Sequence, residues 1–302
     1  MASCPLCGTG STELRWTRNR TRYFVCRSCR IVFQFPQPAP DALKEVYSED
    51  YYRKNEGNPS LSSYTDYDID MDLSLARSLL EPVRALNANP GGRFLDLGCA
   101  TGQVLLVARE YGWQAAGVEL SAWAAERARK KGFDVYTGTL EEARYAEGSM
   151  DVVTMFDVIE HIPDPRATLR EIRRILRPGG ALVLQTPNAD GFGARVLYRS
   201  RSMIVQPDAH LILFSPSGIR RMLEQEGFDV ARLSTHSLSG TLRSYAATVL
   251  RRSVKKVLKA MNYNVGGVDL TRWIKRGDMT ELPQFSFNDV IQVTALRRHA
   301  SP

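Results

Sequence analysis

The sequence predicts an α/β fold, a doubly wound parallel sheet with helices on both faces, behind a small N-terminal module built on cysteines. Three observations predict it. From Gly92 onward short apolar runs alternate with helical segments, the signature of successive βαβ units. Ahead of them Cys4, Cys7, Cys26 and Cys29 form two CxxC pairs with eighteen residues between the pairs. Pro36, Pro38 and Pro40 mark a break between the two parts.

Composition bounds the rest. A chain of 302 residues that is 43% apolar can bury one large core plus a satellite module. No run approaches the roughly 18 uninterrupted apolar residues of a membrane span, and the first residues lack the basic-then-apolar pattern of a signal peptide. The expected location is the cytoplasm. Five cysteines in a reducing compartment argue against a disulfide framework. The net charge of +7 favours anionic partners without choosing among phosphates, nucleic acid and an anionic membrane surface.

Residues 1–38 read as a zinc ribbon. Two tight turns each present two thiolates, and the four complete a tetrahedral shell with no open position, which suits a structural metal. Unbound thiols or a redox pair are the alternatives. Arg15, Arg18, Arg20 and Arg22 alternate along a hairpin, either as a solvated surface or as a face for RNA or a phosphorylated substrate. Residues 39–90 read as a linker and helical lid. Helices are expected in "LKEVYSEDYYRKN" and "YTDYDIDMDLSLARSLLEPVRAL", where Tyr47, Tyr51, Tyr52, Tyr64 and Tyr67 either pack or cover a pocket.

The main part, residues 91–302, then unfolds in order. "RFLDLG" is a buried strand, Gln103 to Tyr111 a helix and "QAAGVEL" a second strand. Ser121 caps the helix "AWAAERARKKG", and "FDVYTG" is the third strand. "MDVVTMFDVIEHI" is the fourth, "PDPRATLREIRRILRPGG" a helix stopping at Pro-Gly-Gly, and "ALVLQTPN" the fifth. In such a sheet the ligand sits beyond the carboxyl ends of the strands.

"FLDLGCATGQ" leaves the first strand for nearly bare backbone, so that N–H groups can approach a ligand at the start of a helix. Gly98 and Gly102 are separated by three residues, unlike the tighter double-glycine turn that suits a pyrophosphate, and Asp96 suits a ligand that brings an ammonium group. Glu119, ending the second strand, is placed for a bidentate hydrogen bond to ribose hydroxyls. Taken singly, Gly98 and Gly102 could be packing glycines. Together with Glu119 they describe a site for S-adenosylmethionine.

The motifs "LDLGCATG", "VEL", "GTLEEA", "FDVIEHIPDP" and "LRPGGALVLQTPN" stand in order between about Arg93 and Phe228. In them the chain resembles class I S-adenosylmethionine-dependent methyltransferases, nearest to a subgroup with an N-terminal zinc ribbon that methylates sugars and other small metabolites. The resemblance implies a Rossmann-like, mostly parallel sheet whose last strand is antiparallel, with "FDVARLSTH" and "DVIQVTALRR" completing it. It also implies that Gly98, Cys99, Ala100 and Gly102 wrap the methionine moiety, with Cys99 itself buried and inert. Glu119 and Leu120 would meet the ribose, and Thr139 and Leu140 the adenine, Thr139 standing where many relatives carry Asp. Phe156 and Asp157 would line the floor beneath the sulfonium.

Glu160 and His161 leave the fourth strand at the ligand edge, as catalytic groups or as scaffold of the cofactor pocket. The stretch "PDAHLILFSPSGIRRMLEQEGF" resembles the family's segment near the acceptor, which assigns His210 the role of general base for a hydroxyl acceptor, since histidine titrates near neutral pH. Related sugar carbon-methyltransferases carry Tyr and Glu where this chain has Pro207 and Ala209, which favours oxygen over carbon. A small-molecule acceptor, a sugar or nucleotide sugar, is therefore expected, with residues 189–285 as the substrate-side insertion. RNA methylation through the basic ribbon and a scaffold role are the competing functions. Residues 241–261 form a basic amphipathic helix, packed on the core or resting on an anionic membrane.

Overall fold

The computed structural model describes residues 2–18, 21–38, 73–85, 91–191, 210–236 and 290–299. All of these belong to one compact unit, Met1–His236 with Asn288–Pro302. The tyrosines at 47, 51, 52, 64 and 67, Arg20, Pro207, Ala209 and the basic segment 241–261 lie outside the described residues. Among the described residues no helix is long and apolar enough to cross a membrane.

The N-terminal module is a small antiparallel sheet of β1 (Thr12–Arg18), β2 (Thr21–Cys26) and β3 (Val32–Phe35). A fourth strand joins it from far along the chain. β9 (Ile212–Leu213) pairs antiparallel with β3, Val32 opposite Leu213 and Phe33 opposite Ile212. Two arginines of the main part grip the two cysteine turns: Arg166 Nε donates to the Leu6 carbonyl at 2.8 Å, and Arg221 Nη1 to the Ser28 carbonyl at 3.0 Å. Gly218 packs so closely on the Cys29 carbonyl that a Cβ there would lie 2.9 Å from it.

The main sheet has the order β10-β11-β8-β7-β4-β5-β6. Its strands are β4 (Arg93–Leu97), β5 (Gln114–Glu119), β6 (Asp134–Thr137), β7 (Met150–Phe156), β8 (Leu176–Pro187), β10 (Phe228–His236) and β11 (Val290–Arg297). Pairing is parallel from β6 to β8, while β11 lies antiparallel between β8 and β10. The sheet thus has the predicted parallel body and the predicted antiparallel last strand. The described helices are α1 (Ser74–Ala85), α2 (Gln103–Glu110), α3 (Ala122–Lys130), α4 (Leu140–Ala143), α5 (Pro165–Ile175) and α6 (Pro216–Gln225).

Strand alternation sorts the core into two layers. Phe94, Val152 and Val183 pack with Leu79, Leu80 and Val83 of α1 and Leu105, Val107 and Ala108 of α2. Leu95, Val153, Leu182 and Leu184 point to the other face, with Leu169 and Ile172 of α5, Ile219 and Leu223 of α6, and Ile31 and Phe33 of the ribbon. The ribbon is therefore part of one hydrophobic layer of the main sheet.

Three local expectations change. α5 ends at Ile175, and the "RPGG" segment belongs to β8. Pro178 disfavours helix in the residue before it, Leu176 is already extended, and Gly180 leaves no room for a Cβ between the Arg177 and Asp151 carbonyls. β7 stops at Phe156, because Asp157 turns left-handed with φ 53° and Ile159–His161 form a 3-10 turn. Ser121 occupies the N-cap position of α3, yet its hydroxyl makes no capping bond. Its backbone N–H is turned instead to Glu119.

Candidate active site

The loop that leaves β4 is built from left-handed backbone. Gly98, Ala100 and Gly102 have φ of 77°, 45° and 90°. Gly98 is required twice over, since a Cβ there would also lie 2.4 Å from Val158 Cγ2. The loop is held by the end of β5: the Gly98 and Cys99 N–H groups donate to the Val118 carbonyl at 2.8 and 3.2 Å. Lys131 Nζ braces it further by donating to the Thr101 carbonyl at 2.7 Å.

Glu119 joins loop and strand. One carboxylate oxygen accepts the Ala100 N–H at 2.9 Å and the other the Ser121 N–H at 2.8 Å. Burial raises its pKa, and the backbone donors oppose that rise. Leu120, half-buried, follows it into the loop, and its backbone is a third group that favours the carboxylate. Asp96 is 2% exposed and accepts the Thr154 hydroxyl at 2.7 Å. Burial pushes its carboxyl up to about 7, Thr154 opposes the rise, and the neighbouring charge of Glu119 adds to it.

Cys99 is buried in the layer that contains α2, so close to Gly117 that a Cβ there would lie 2.4 Å from its sulfur. Burial first, then the charges of Glu119 and Asp96, hold it as a thiol. Thr139 caps α4 in a reciprocal box: the Glu142 N–H donates to its hydroxyl at 3.3 Å, and its own N–H to the Glu142 carboxylate at 2.8 Å. Leu140 is 1% exposed and belongs to the core.

Phe156 ends β7, and the Asp157 N–H donates to the Gln185 carbonyl at 2.9 Å while Gln185 Nε2 donates to the Asp157 carboxylate at 3.2 Å. Two buried hydroxyls beside this loop, Thr101 Oγ1 and Ser121 Oγ, have no hydrogen-bond partner among the described residues. An open left-handed loop, two buried carboxyls and two unpartnered hydroxyls fit a polar, amine-bearing nucleoside such as S-adenosylmethionine.

At the same end of the sheet the structure brings Glu160, His161 and His210 together, with one ligand atom from each lying within 4.8 Å of the others. The rings of His161 and His210 meet edge to face, 4.8 Å between centroids. Glu160 is fully buried, with one oxygen accepting the Thr186 hydroxyl at 3.0 Å and the other 3.8 Å from His161 Nε2. Burial, then the charge of Asp157, lifts its pKa well above the usual carboxylate range. Thr154, Gln185, Thr186 and Val158, which sequence reading passed over, touch the candidate residues Asp96, Asp157, Glu160 and Gly98. Thr154 had one signal, its place at the same pleat as Asp96 on the adjacent strand.

In the N-terminal module the four cysteine sulfurs all lie within 4.8 Å of one another, Cys4 to Cys29 at 3.4 Å and Cys7 to Cys26 at 3.6 Å. A zinc tetrahedron with bonds of about 2.3 Å has sulfur–sulfur edges of about 3.8 Å. The turns after the first cysteine of each pair end alike, in left-handed Gly8 and Arg30. The cluster fits a zinc ribbon.

A family model described as "Methyltransferase domain" matches residues 67–233. The chain belongs to the methyltransferase family. The methyltransferase is 34% identical over 116 residues to the ubiquinone biosynthesis O-methyltransferase of Xanthomonas campestris, covering 36% of this chain and 48% of that protein. It is 35% identical over 114 residues to an uncharacterized 37.1 kDa protein in a Streptomyces fradiae transposon, covering 35% and 33%. The chain thus spans between a third and about half of the length of these curated relatives.

Two solved structures share the fold. Phosphoethanolamine N-methyltransferase 2 of Haemonchus contortus, bound to phosphomonomethylethanolamine and S-adenosylhomocysteine, superposes with a TM-score of 0.58 at 19% identity, over 89% of this chain and 63% of that one. An S-adenosylmethionine-dependent methyltransferase of Thermotoga maritima gives 0.51 at 20% identity, over 82% and 98%. The methyltransferase has the class I, S-adenosylmethionine-dependent fold.

Proposed function

We propose that this methyltransferase moves the methyl group of S-adenosylmethionine to a hydroxyl of a small-molecule acceptor, a sugar or glycosylated metabolite, with His210 as the general base. The observation that carries this is the meeting of His210 with Glu160 and His161 on the glycine-loop side of the sheet, where Val158 of the same turn touches Gly98. The curated relative named as an O-methyltransferase supports oxygen as the acceptor atom.

Each residue then has a task. Asp96 would take the ammonium of the methionine moiety, and the loop from Gly98 through Cys99 and Ala100 to Gly102 would close around that moiety. Glu119 and Leu120 would hold the ribose, Thr139 and the backbone of Leu140 the adenine, and Phe156 and Asp157 the floor below the sulfur. S-adenosylmethionine supplies an activated methyl on a sulfonium. The protein's share is to align the acceptor oxygen behind that methyl, an in-line arrangement worth several powers of ten in rate. His210 would take the hydroxyl proton on its imidazole as the acceptor oxygen receives the methyl and the thioether leaves. The four cysteines would hold a structural zinc.

The test is calorimetric titration with S-adenosylhomocysteine, followed by methyl transfer to a panel of nucleotide sugars. Glu119→Ala should weaken binding at least tenfold, and His210→Ala should lower turnover at least a hundredfold while binding stays intact. Near-wild-type turnover of His210→Ala on a true acceptor would remove the base assignment.

A further inference from the structure

Beside the cysteine cluster, the described residues contain one other grouping with the chemistry of a metal site. We propose that Glu160, His161 and His210 bind a divalent cation of the borderline class, such as Zn2+ or Co2+. The inference rests on reading this cluster as the acceptor site.

The donor set comes first. Two imidazoles and one carboxylate form a nitrogen and oxygen set that suits borderline first-row cations better than Ca2+ or Mg2+. The Glu160 side chain is fully buried, and its Oε1 has no hydrogen-bond partner among the described residues. A buried carboxyl oxygen without a partner is costly, and a cation that displaces its proton would satisfy it.

Geometry agrees. Bonds of about 2.0–2.2 Å put neighbouring ligand atoms roughly 3–3.5 Å apart. His161 Nε2 and Glu160 Oε1 are 3.8 Å apart, and all three ligand atoms fall within 4.8 Å, so closure by about 1 Å completes the set. The ligands are also held from behind. Thr186 fixes the other Glu160 oxygen at 3.0 Å, and the Leu211 N–H donates to the Glu160 carbonyl at 2.8 Å, which locks the turn carrying two ligands to the segment carrying the third. Three protein ligands leave coordination positions open, unlike the closed set of four thiolates.

Such a cation and the acceptor's proton compete for the same His210 lone pair. If His210 is the base, filling the site therefore slows methyl transfer.

Cobalt distinguishes the two sites in the intact chain. Metal-free, reduced protein titrated anaerobically with Co2+ should take two equivalents. The thiolate site gives an intense sulfur-to-cobalt charge-transfer band, and the second site only weak visible bands. His161→Asn/His210→Asn should lose the second equivalent, and Glu160→Gln should bind it at least tenfold more weakly. Both should keep the charge-transfer band, which reports a folded ribbon. His236 and His299, the other two of four histidines, are left in place. Saturation of the wild type at one equivalent would overturn the site, as would two full equivalents in the double variant. A separate arm follows methyl transfer with and without the second equivalent: slowing agrees with a histidine base, and acceleration retires that base while leaving the metal site standing.

Discussion

The Leu211 backbone N–H donates to the carbonyl of Glu160 at 2.8 Å, and this bond joins three parts of the molecule. It lies one residue from His210 and one from His161, whose rings touch. One residue further on, Ile212 enters β9 and pairs with Phe33 of the ribbon. The cysteine module therefore reaches the candidate acceptor site through a continuous run of backbone hydrogen bonds, which include the Gln34 N–H donating to the Leu211 carbonyl at 2.9 Å.

If the four cysteines hold zinc as proposed, its removal should therefore injure methyl transfer more than cofactor binding. With the tightly held thiolate metal stripped, turnover is expected to fall at least tenfold while affinity for S-adenosylhomocysteine changes by no more than about threefold, because the glycine loop is tied to β5 rather than to the ribbon. Parallel calorimetry and turnover on chelated, reduced protein check this. Equal loss of both would mean that the ribbon supports the whole fold.

Cofactor affinity should depend on pH through Asp96. Its folded carboxyl is raised to about 7 from 3.8, so the empty protein holds a proton there that the unfolded chain has already lost. Stability of the empty protein from this group is accordingly greatest below about pH 4 and declines as pH rises to about 7. An ammonium-bearing ligand needs the ionised form, so affinity for S-adenosylhomocysteine should rise up to tenfold per unit below pH 7 and level above it. Asp96→Asn should flatten both the binding profile and the melting-temperature profile.

Gly98→Ala should destabilise the protein by about 2–4 kcal/mol, since it adds a methyl 2.4 Å from Val158 Cγ2 at a φ of 77°. Val158→Ala in the same chain should recover part of the loss but leave about 1 kcal/mol of backbone strain. Urea unfolding of the two single variants and the double variant measures the coupling.

Thr139→Ala should cost about 1 kcal/mol through loss of the α4 cap. If Thr139 meets adenine by its position rather than its hydroxyl, S-adenosylhomocysteine affinity will fall no more than about threefold. Thermal unfolding and calorimetry on one preparation separate the two effects.

Local patterns carried much of this structure. Alternating apolar runs disclosed β4 to β8, and the spacing of Gly98, Gly102 and Glu119 disclosed the loop that β5 holds. CxxC spacing disclosed the four-sulfur cluster. What local pattern cannot disclose is a contact made at long range. β9 is two residues long and has no period of its own, so its pairing with β3 left no mark in either segment. The grips of Arg166 and Arg221 on the cysteine turns were equally hidden, because an exposed arginine and a docked one read alike. Where β7 ends depended on Asp157 adopting a left-handed conformation, which its bonds with the distant Gln185 accompany and which local pattern does not foretell.

The bridge between β3 and β9 also bears on how the protein emerges from the ribosome. The cysteine module is made early, but among the described residues the outer edge of its last strand finds its partner only in Ile212 and Leu213, which are made later. At usual elongation speeds that interval is roughly 10–40 s. During it the nascent chain carries a bare hydrogen-bonding edge next to apolar Ile31 and Phe33, the arrangement from which strand-to-strand aggregation starts. Early metal capture would give the module its shape but would not cover that edge. Protection by a chaperone, or slow synthesis at low temperature, should therefore improve the soluble yield more than added zinc does.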